Sequence, residues 1–303
     1  MDPLLVITNS GAGTAAEENL EQALAVLRAE ASVEVAETSG PGELDGVLHR
    51  AGSRWIVVAG GDGSLHAVVS ALYRRNELRD ATIGVLPLGT GNDFARHVSI
   101  PLEPADAARV ILAGKGRPTD LIVDEVGEIV VNNVHVGAGA QASRRGSRWK
   151  TRLGAIGVGK VNLGKLGYPI GAALAAFRPP FRRLHVEIDG VTVNDLHQPV
   201  LMVAVGNGAT VGGGTSLTPA ADTTDGKVDV MVSRAIGPVA RFSYVADLVR
   251  RRHAQREDVL YHRGTRVTIS GEEFWCSADG EIYGPERSRS WRVEPSAYTL
   301  IVP

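Results

Sequence analysis

Cysteine is almost absent from this chain of 303 residues: Cys276 stands alone. No internal disulfide can form, and a reducing, cytoplasmic setting is expected. An excess of either charge is also missing, with 32 Lys and Arg against 34 Asp and Glu. Such balance argues against nucleic acid as a bulk electrostatic partner. Long apolar runs are lacking. The longest uncharged one, Leu166 to Phe177, is interrupted by Pro169 and falls well short of a membrane span. The run Leu4 to Thr8 is too short, and lacks the basic flank, for a secretory leader. The eight histidines show no zinc-ligand spacing, and no internal repeat or low-complexity tract occurs beyond a Gly/Ala-rich stretch from Gly137 to Ala176.

What is present is a buried-strand pattern that runs straight into glycines. Trp55 to Ala59 is apolar throughout, Gly60-Gly61-Asp62-Gly63-Ser64 follows, and from Leu65 the residues Leu65, Val68, Val69 and Leu72 recur at helical spacing. Glycines let peptide N–H groups approach an anion closely, and the helix adds the positive end of its dipole. A carboxylate beside a polyphosphate is repulsive unless a cation lies between them, so Asp62 points to nucleotide plus magnesium. As a loop carboxylate it is expected to contribute little to packing. A second strand, Thr82 to Pro87, delivers Leu88-Gly89-Thr90-Gly91-Asn92-Asp93-Phe94-Ala95-Arg96 into a loop and short helix. In a doubly wound sheet, loops at the carboxyl ends of neighbouring strands meet at one crevice, which brings Asp62, Thr90, Asn92 and Asp93 together. Neither loop has the P-loop Gly-Lys-Ser/Thr or the dinucleotide spacing.

The chain divides near residue 122. Before it, strands Leu4–Thr8, Val33–Ala36, Trp55–Ala59 and Ile83–Leu86 alternate with helices near 15–29, 43–51, 64–75 and 104–114, with Thr14 and Glu17 as a capping box. After it, hairpin patterns dominate. Leu184–Ile188 turns at Asp189-Gly190 into Val191–Val193, and Val200–Val205, Val228–Val232, Val267–Ile269, Phe274–Ser277 and Tyr298–Val302 continue as strands. Helices are expected near 153–177 and 238–253. The fold class is α/β, with an N-terminal doubly wound nucleotide-binding domain (1–122) and a β-sandwich domain (123–303).

Three features of the second part admit two readings each. Asp279-Gly280-Glu281 is either a plain hairpin turn or, on an extended segment, a pair of carboxylates facing one side, able to take a proton from an acceptor hydroxyl. Asp222-Thr223-Thr224-Asp225-Gly226-Lys227 is either an acidic turn or a loop of hard oxygen ligands for Mg²⁺. Two basic runs, Arg144, Arg145, Arg148, Lys150 and Arg152 around Trp149, and Arg250, Arg251, Arg252 and Arg256 around His253, are either solvated surface or contacts to anionic headgroups.

The pair Gly-Gly-Asp-Gly-Ser and Leu-Gly-Thr-Gly-Asn-Asp-Phe-Ala-Arg resembles the diacylglycerol kinase catalytic-domain family of lipid kinases, which includes sphingosine kinases. Asn9-Ser10-Gly11-Ala12-Gly13 is similar to the family's Asn-Pro-x-Ser-Gly loop, with Ser10 in place of proline. The resemblance implies a site that holds ATP through Asn9, Gly13, Thr38, Gly60, Gly61, Asp62, Gly63, Ser64, Leu65, His66, Thr90 and Asn92. It further implies that Asp93 and Asp120 join Asp62 in a magnesium network, and that Asp225 with carbonyls of Asp222 and Lys227 holds a structural magnesium. Glu281 is implied as the base with Asp279 as its orienting partner, the opposite assignment remaining open. The expected function is ATP- and Mg-dependent phosphorylation of a lipid hydroxyl, diacylglycerol first, at a membrane surface that the protein contacts peripherally. A sphingoid base, another glycerolipid or a polyprenyl-like alcohol are alternative acceptors, and a homodimer is left open. The competing classes are an NAD kinase-like phosphotransferase, which shares the first motif only, and a nucleotide-gated lipid-binding regulator without catalysis, to which the departures at Ser10 and Ser64 would be suited.

Overall fold

A computed structural model describes residues 3–9, 14–137, 140 and 181–303. Gly13, the basic run 144–152 and the helix expected near 153–177 lie outside the described residues. The chain forms two compact units. Unit 1 is Met1–Leu121 with two later returns, Thr223–Gly226 and Glu294–Pro303, and unit 2 is Ile122–Asp222 with Lys227–Val293. The change of units between Leu121 and Ile122 sits beside the division expected at 122, but a linear boundary omits both returns.

Unit 1 alternates strands and helices: β1 (Leu4–Asn9), α1 (Thr14–Glu30), β2 (Val33–Thr38), α2 (Pro41–His49), β3 (Trp55–Gly60), α3 (Asp62–Arg74), β4 (Thr82–Pro87), α4 (Asp93–His97), α5 (Pro104–Ala113) and the start of β5 (Gly116–Asp124). β1, β3 and β4 are apolar and buried at nearly every position, the composition of strands covered on both faces. β2 is half-buried or exposed at every position, as befits an edge. The sheet is parallel in the order β2-β1-β3-β4. After β1 the chain steps outward to β2 and then crosses back to β3, so the order reverses between β1 and β3. That reversal opens a crevice at the carboxyl ends of the two strands, where Asn9 and Gly60 stand.

Unit 2 is built from strands: the end of β5, β6 (Ile129–Val130), β7 (Asn133–Gly137), β8 (Arg182–Ile188), β9 (Val191–Asn194), β10 (Pro199–Val200), β11 (Met202–Gly206), β12 (Thr210–Val211), β13 (Thr215–Ser216), β14 (Val228–Ser233), β15 (Val259–Gly264), β16 (Arg266–Ala278) and most of β17 (Glu281–Ile301), with one described helix, α6 (Pro238–Val249). One antiparallel layer runs β15-β14-β11-β7-β16, and a second contains β8 with β9 and β10. β16 serves both. Its first half pairs with β8 and its second with β7, and the register shifts around Phe274 bend it from one layer to the other. The periodicity that separates 267–269 from 274–277 therefore belongs to a single bent strand. Val203, Val205, Val230 and Val232 point into the core shared with Val186, Ile269, Phe274 and Trp291. Ala204 and Met231 point the other way, under Tyr244 of α6. Cys276 lies in the first core, where burial pushes its thiol up to about 11 and leaves it inert. The last residues of β17 return to unit 1, where Thr299 and Leu300 pair in parallel with Thr82 and Ile83 of β4.

Candidate active site

In unit 1 the two glycine loops pack backbone on backbone. A Cβ placed on Gly61 would lie 3.0 Å from the Cα of Gly89, and one on Gly89 would lie 2.5 Å from the Cα of Gly61. Only glycine permits that approach. The amide of Leu88 also donates to the carbonyl of Gly60 at 3.0 Å. Asp62, in the first turn of α3, accepts the amides of Asp93 and Phe94 on its two oxygens, each at 3.0 Å. It thus satisfies donors at the start of α4 that no helical carbonyl can reach. The expectation that Asp62 adds little to the packing is corrected here: its carboxylate ties the second loop to the first. Asn92, in the left-handed region at φ 51°, is buried. It accepts the amide of Gly89 at 3.0 Å and donates to the carbonyls of Pro87 and Gly89. Its side chain shapes the loop that presents the exposed Thr90.

Gly63 differs from these glycines. It is exposed in the first turn of α3, and a Cβ there would meet nothing within 4 Å among the described residues. Ser64 and Leu65 follow, their amides taken by the carbonyl of Gly61, with Leu65 buried in the core and His66 half-buried. Across the crevice Asn9 is exposed at the end of β1 and stands level with Thr38 of β2, whose hydroxyl donates to the carbonyl of Thr8 at 3.2 Å.

Asp120 is buried in unit 1. Its oxygens accept the amides of Gly226 at 2.7 Å and Ser296 at 2.8 Å, and its own amide donates to the carbonyl of Thr223 at 2.7 Å. This carboxylate fastens both returns of the chain to the unit. Among the described residues no three carboxylate, imidazole or thiol side chains gather as a metal-binding group. Asp62, Asp93 and Asp120, implied as a magnesium network, do not stand together as such a group. The side chains of Asp222, Asp225 and Lys227 are exposed, Asp225 within unit 1 and the other two in unit 2, with Gly226 at φ 69° making the turn that Asp120 holds.

In unit 2, Asp279 (φ 47°) and Gly280 (φ 91°) form the two-residue turn that joins β16 to β17, with Ala278 opposite Glu281. The tripeptide is a hairpin turn and not an extended segment, so the alternation argument for a same-side pair does not apply. The two carboxylates have different surroundings. Asp279 accepts the amides of Val131 at 2.7 Å, Asn132 at 2.9 Å and Asn133 at 3.1 Å, and so moulds the segment before β7. Glu281 is exposed and accepts the hydroxyl of Tyr283 at 3.2 Å.

Sequence reasoning missed the buried polar residues around this turn. Asn207 donates to the carbonyl of Val131, Asn132 donates to that of Thr210, and the carbonyl of Asn132 accepts the amides of Asn207 and Gly208. His135 lies opposite Ser277 in the β7–β16 pairing, and burial pulls its imidazole down to about 4 against the opposing charge of Asp279. The available signal was Val130-Val131-Asn132-Asn133, two amides following directly on an apolar pair. A cavity of about 580 Å³ in unit 2, lined by Ile188, Val193, Arg234, Leu260, His262 and Arg263, contains none of the expected site residues.

Residues 3–123 match the diacylglycerol kinase catalytic domain family, and residues 132–302 match the YegS C-terminal NAD kinase beta sandwich-like domain family. The chain is 30% identical over 234 residues to a diacylglycerol kinase of Bacillus subtilis (strain 168), an alignment that takes in 76% of this chain and 71% of that protein. It is 30% identical over 299 residues to a protein of Xanthomonas campestris pv. campestris (strain 8004) named "Probable lipid kinase YegS-like", with 93% and 90% of the two chains covered. The crystal structure of a diacylglycerol kinase from Bacillus anthracis str. Sterne superposes with a TM-score of 0.76 over 100% of this chain and 97% of that one, at 21% identity, and shows the same fold. With both halves matched in order and the glycine loops interlocked as described, this chain belongs to the diacylglycerol kinase and YegS-like family of lipid kinases.

Proposed function

We propose that this kinase transfers the γ-phosphoryl group of ATP, with Mg²⁺, to the hydroxyl of a membrane lipid, with diacylglycerol the first candidate and phosphatidic acid its product. The observation that supports a nucleotide most directly is Gly63. A glycine in an exposed helical turn costs stability, and among the described residues nothing fills the space its missing side chain leaves. A phosphate approaching the first-turn amides of α3 at the sheet's reversal point accounts for it.

The residues also fit a magnesium ion. Mg²⁺ keeps several waters and takes one or two protein carboxylates alongside substrate phosphates, so a dedicated cage is not required. Asp62, in the first turn of α3 beside the second glycine loop, is the carboxylate such an ion would take. When bound, the ion offsets charge on the phosphates during transfer. Asp62 then has two tasks, orienting the second glycine loop and facing the ion. Glu281 is the base: it is exposed, whereas the oxygens of Asp279 already accept three amides. Glu281 takes the hydroxyl proton as the acceptor oxygen bonds to phosphorus and ADP leaves, while Asp279 fixes the turn that carries it.

The test is transfer of labelled γ-phosphate from ATP into a panel of lipids in mixed micelles, with NAD as a further acceptor. Label in a lipid that falls at least ~100-fold in kcat for Glu281→Gln, with the KM for ATP within about twofold, is the expected result. Label in NAD alone, or a Glu281→Gln variant that loses ATP affinity with kcat preserved, contradicts it.

A further inference from the structure

A base carried on an exposed glutamate has an orientation problem. Glu281 opens β17 directly after the turn, and its side chain is exposed. A glutamate side chain has three rotatable bonds and keeps its rotamer freedom in water unless a neighbour takes hold of it. A base must meet its proton within hydrogen-bonding distance, so only a small share of those rotamers is productive. Among the described residues the neighbour that takes hold is Tyr283, whose hydroxyl donates to Oε2 of Glu281 at 3.2 Å. Two residues apart on one strand, the two side chains share a face.

Tyr283 is itself fixed from behind. Its ring is half-buried against the sandwich core, on the residue that pairs with Cys276. The guanidinium of Arg289 lies over the ring, 5.3 Å from its centroid. Arg289 is buried and held on three sides: Nε donates to Oδ2 of Asp124 at 3.1 Å, Nη2 donates to the same oxygen, and Nη1 donates to Glu286 at 3.1 Å. The other oxygen of Asp124 accepts the amides of Val126 at 3.0 Å and Glu128 at 2.8 Å, which ties this arrangement to the bend between β5 and β6. Asp124, Arg289, Tyr283 and Glu281 thus form one continuous chain of contacts within unit 2, running from a buried end to an exposed one. Burial, with the negative charge of Glu281 and the hydrogen bond to it, pushes the Tyr283 phenol well above its ordinary value. Tyr283 therefore stays protonated at neutral pH, a donor to Glu281 and not a competing base.

We propose that Tyr283 is a positioning residue for Glu281: its hydroxyl holds Oε2 so that Oε1 is presented to the acceptor hydroxyl, while Arg289, anchored on Asp124, keeps the ring in place. This role rests on the kinase reading and on Glu281 as the base. As the acceptor oxygen bonds to phosphorus and the bond to ADP breaks, the acceptor's proton passes to Oε1, and the phenol proton stays on Tyr283 throughout. The variant that tests it is Tyr283→Phe, which keeps the ring under Arg289 and removes the hydroxyl alone. Arg289 is left intact because its loss would strand the buried charge of Asp124. Transfer of labelled γ-phosphate from ATP to diacylglycerol in mixed micelles, or to whichever lipid of the panel accepts label, is measured for wild type, Tyr283→Phe, Glu281→Gln and the double variant. Tyr283→Phe should lower kcat at least ~10-fold, with the KM for ATP within about twofold and the melting temperature within about two degrees of wild type. In the Glu281→Gln background the same substitution should change the residual kcat by less than about twofold, because a residue that acts through the base has nothing left to position. Three results overturn the proposal and leave the base assignment standing: a Tyr283→Phe kcat within about twofold of wild type, a loss that repeats in full in the Glu281→Gln background, or a loss that follows a lowered melting temperature. Wild-type kcat in Glu281→Gln instead fails the base assignment, and absence of label in any lipid fails the kinase reading; either one takes the positioning role with it.

Discussion

Asp62 spends both carboxylate oxygens on backbone amides of the second glycine loop, so its chemistry and its structural duty cannot be separated by deletion. Asp62→Asn keeps one acceptor and loses the charge. It should cost about 1–3 kcal/mol in urea unfolding while lowering kcat by ~100-fold or more. An unchanged unfolding midpoint would show that water replaces the carboxylate at the amides of Asp93 and Phe94. His135 offers a second measurement at this scale. Its folded pKa, pulled down to about 4 by burial, lies below the value of about 6.5 expected in the unfolded chain. In that window the unfolded state binds more protons, so the stability from burying a neutral imidazole is present above pH 6.5 and is lost as pH falls toward 4. The unfolding free-energy difference between wild type and His135→Asn should shrink by ~3 kcal/mol from pH 7 to pH 4. A pH-independent difference would mean that the imidazole is solvated or charge-paired in the folded protein.

At the scale of elements, the two glycine loops make opposite predictions for the same substitution. Gly63→Ala adds a methyl group into open space on a helix, so stability should rise by up to about 1 kcal/mol. The KM for ATP should rise as well, because the methyl group occupies the phosphate's approach. Gly89→Ala drives a methyl group against the backbone of Gly61 and should destabilise by about 1–3 kcal/mol. Thermal melts of the two variants, read beside their ATP kinetics, decide the matter. If both lose stability, the open space at Gly63 is not open in solution. The elements themselves were legible wherever one period ran undisturbed. Trp55 to Ala59 and Ile83 to Leu86 are continuous apolar runs and became β3 and β4, and the spacing of Leu65, Val68, Val69 and Leu72 became the buried face of α3. β16 read as two strands because the bend around Phe274 interrupts the period-two pattern that local sequence reports.

For the whole molecule, the consequential fact is that unit 1 is completed by residues 223–226 and 294–303. A chain of residues 1–122 lacks the strand that pairs with Thr82 and Ile83. It also keeps a buried Asp120 carboxylate without the amides of Gly226 and Ser296. Removing the partners of a buried charge is strongly destabilising, so this fragment should show no cooperative thermal transition by circular dichroism and should bind a hydrophobic dye. A sharp, reversible melt near that of the full chain would show that the returns are dispensable.

The sequence by itself determined that a parallel α/β unit comes first and a β-rich unit second, because hydrophobic period and turn residues are local properties. It also singled out the two glycine loops that carry the proposed phosphate site, since glycine and aspartate at strand ends are visible without coordinates. Only the tertiary structure decided what each carboxylate does. Asp62, Asp120 and Asp279 look alike in sequence, and each turned out to hold backbone amides brought from elsewhere in the chain: Asp93 and Phe94, Gly226 and Ser296, and Val131 to Asn133. Glu281 was separated from Asp279 in the same way, by a turn that buries one carboxylate in amides and leaves its neighbour exposed. The partners of Asp62, Asp120 and Asp279 lie between 31 and 176 residues away, and a side chain's partner at that distance is set by how the chain packs, which no local pattern encodes.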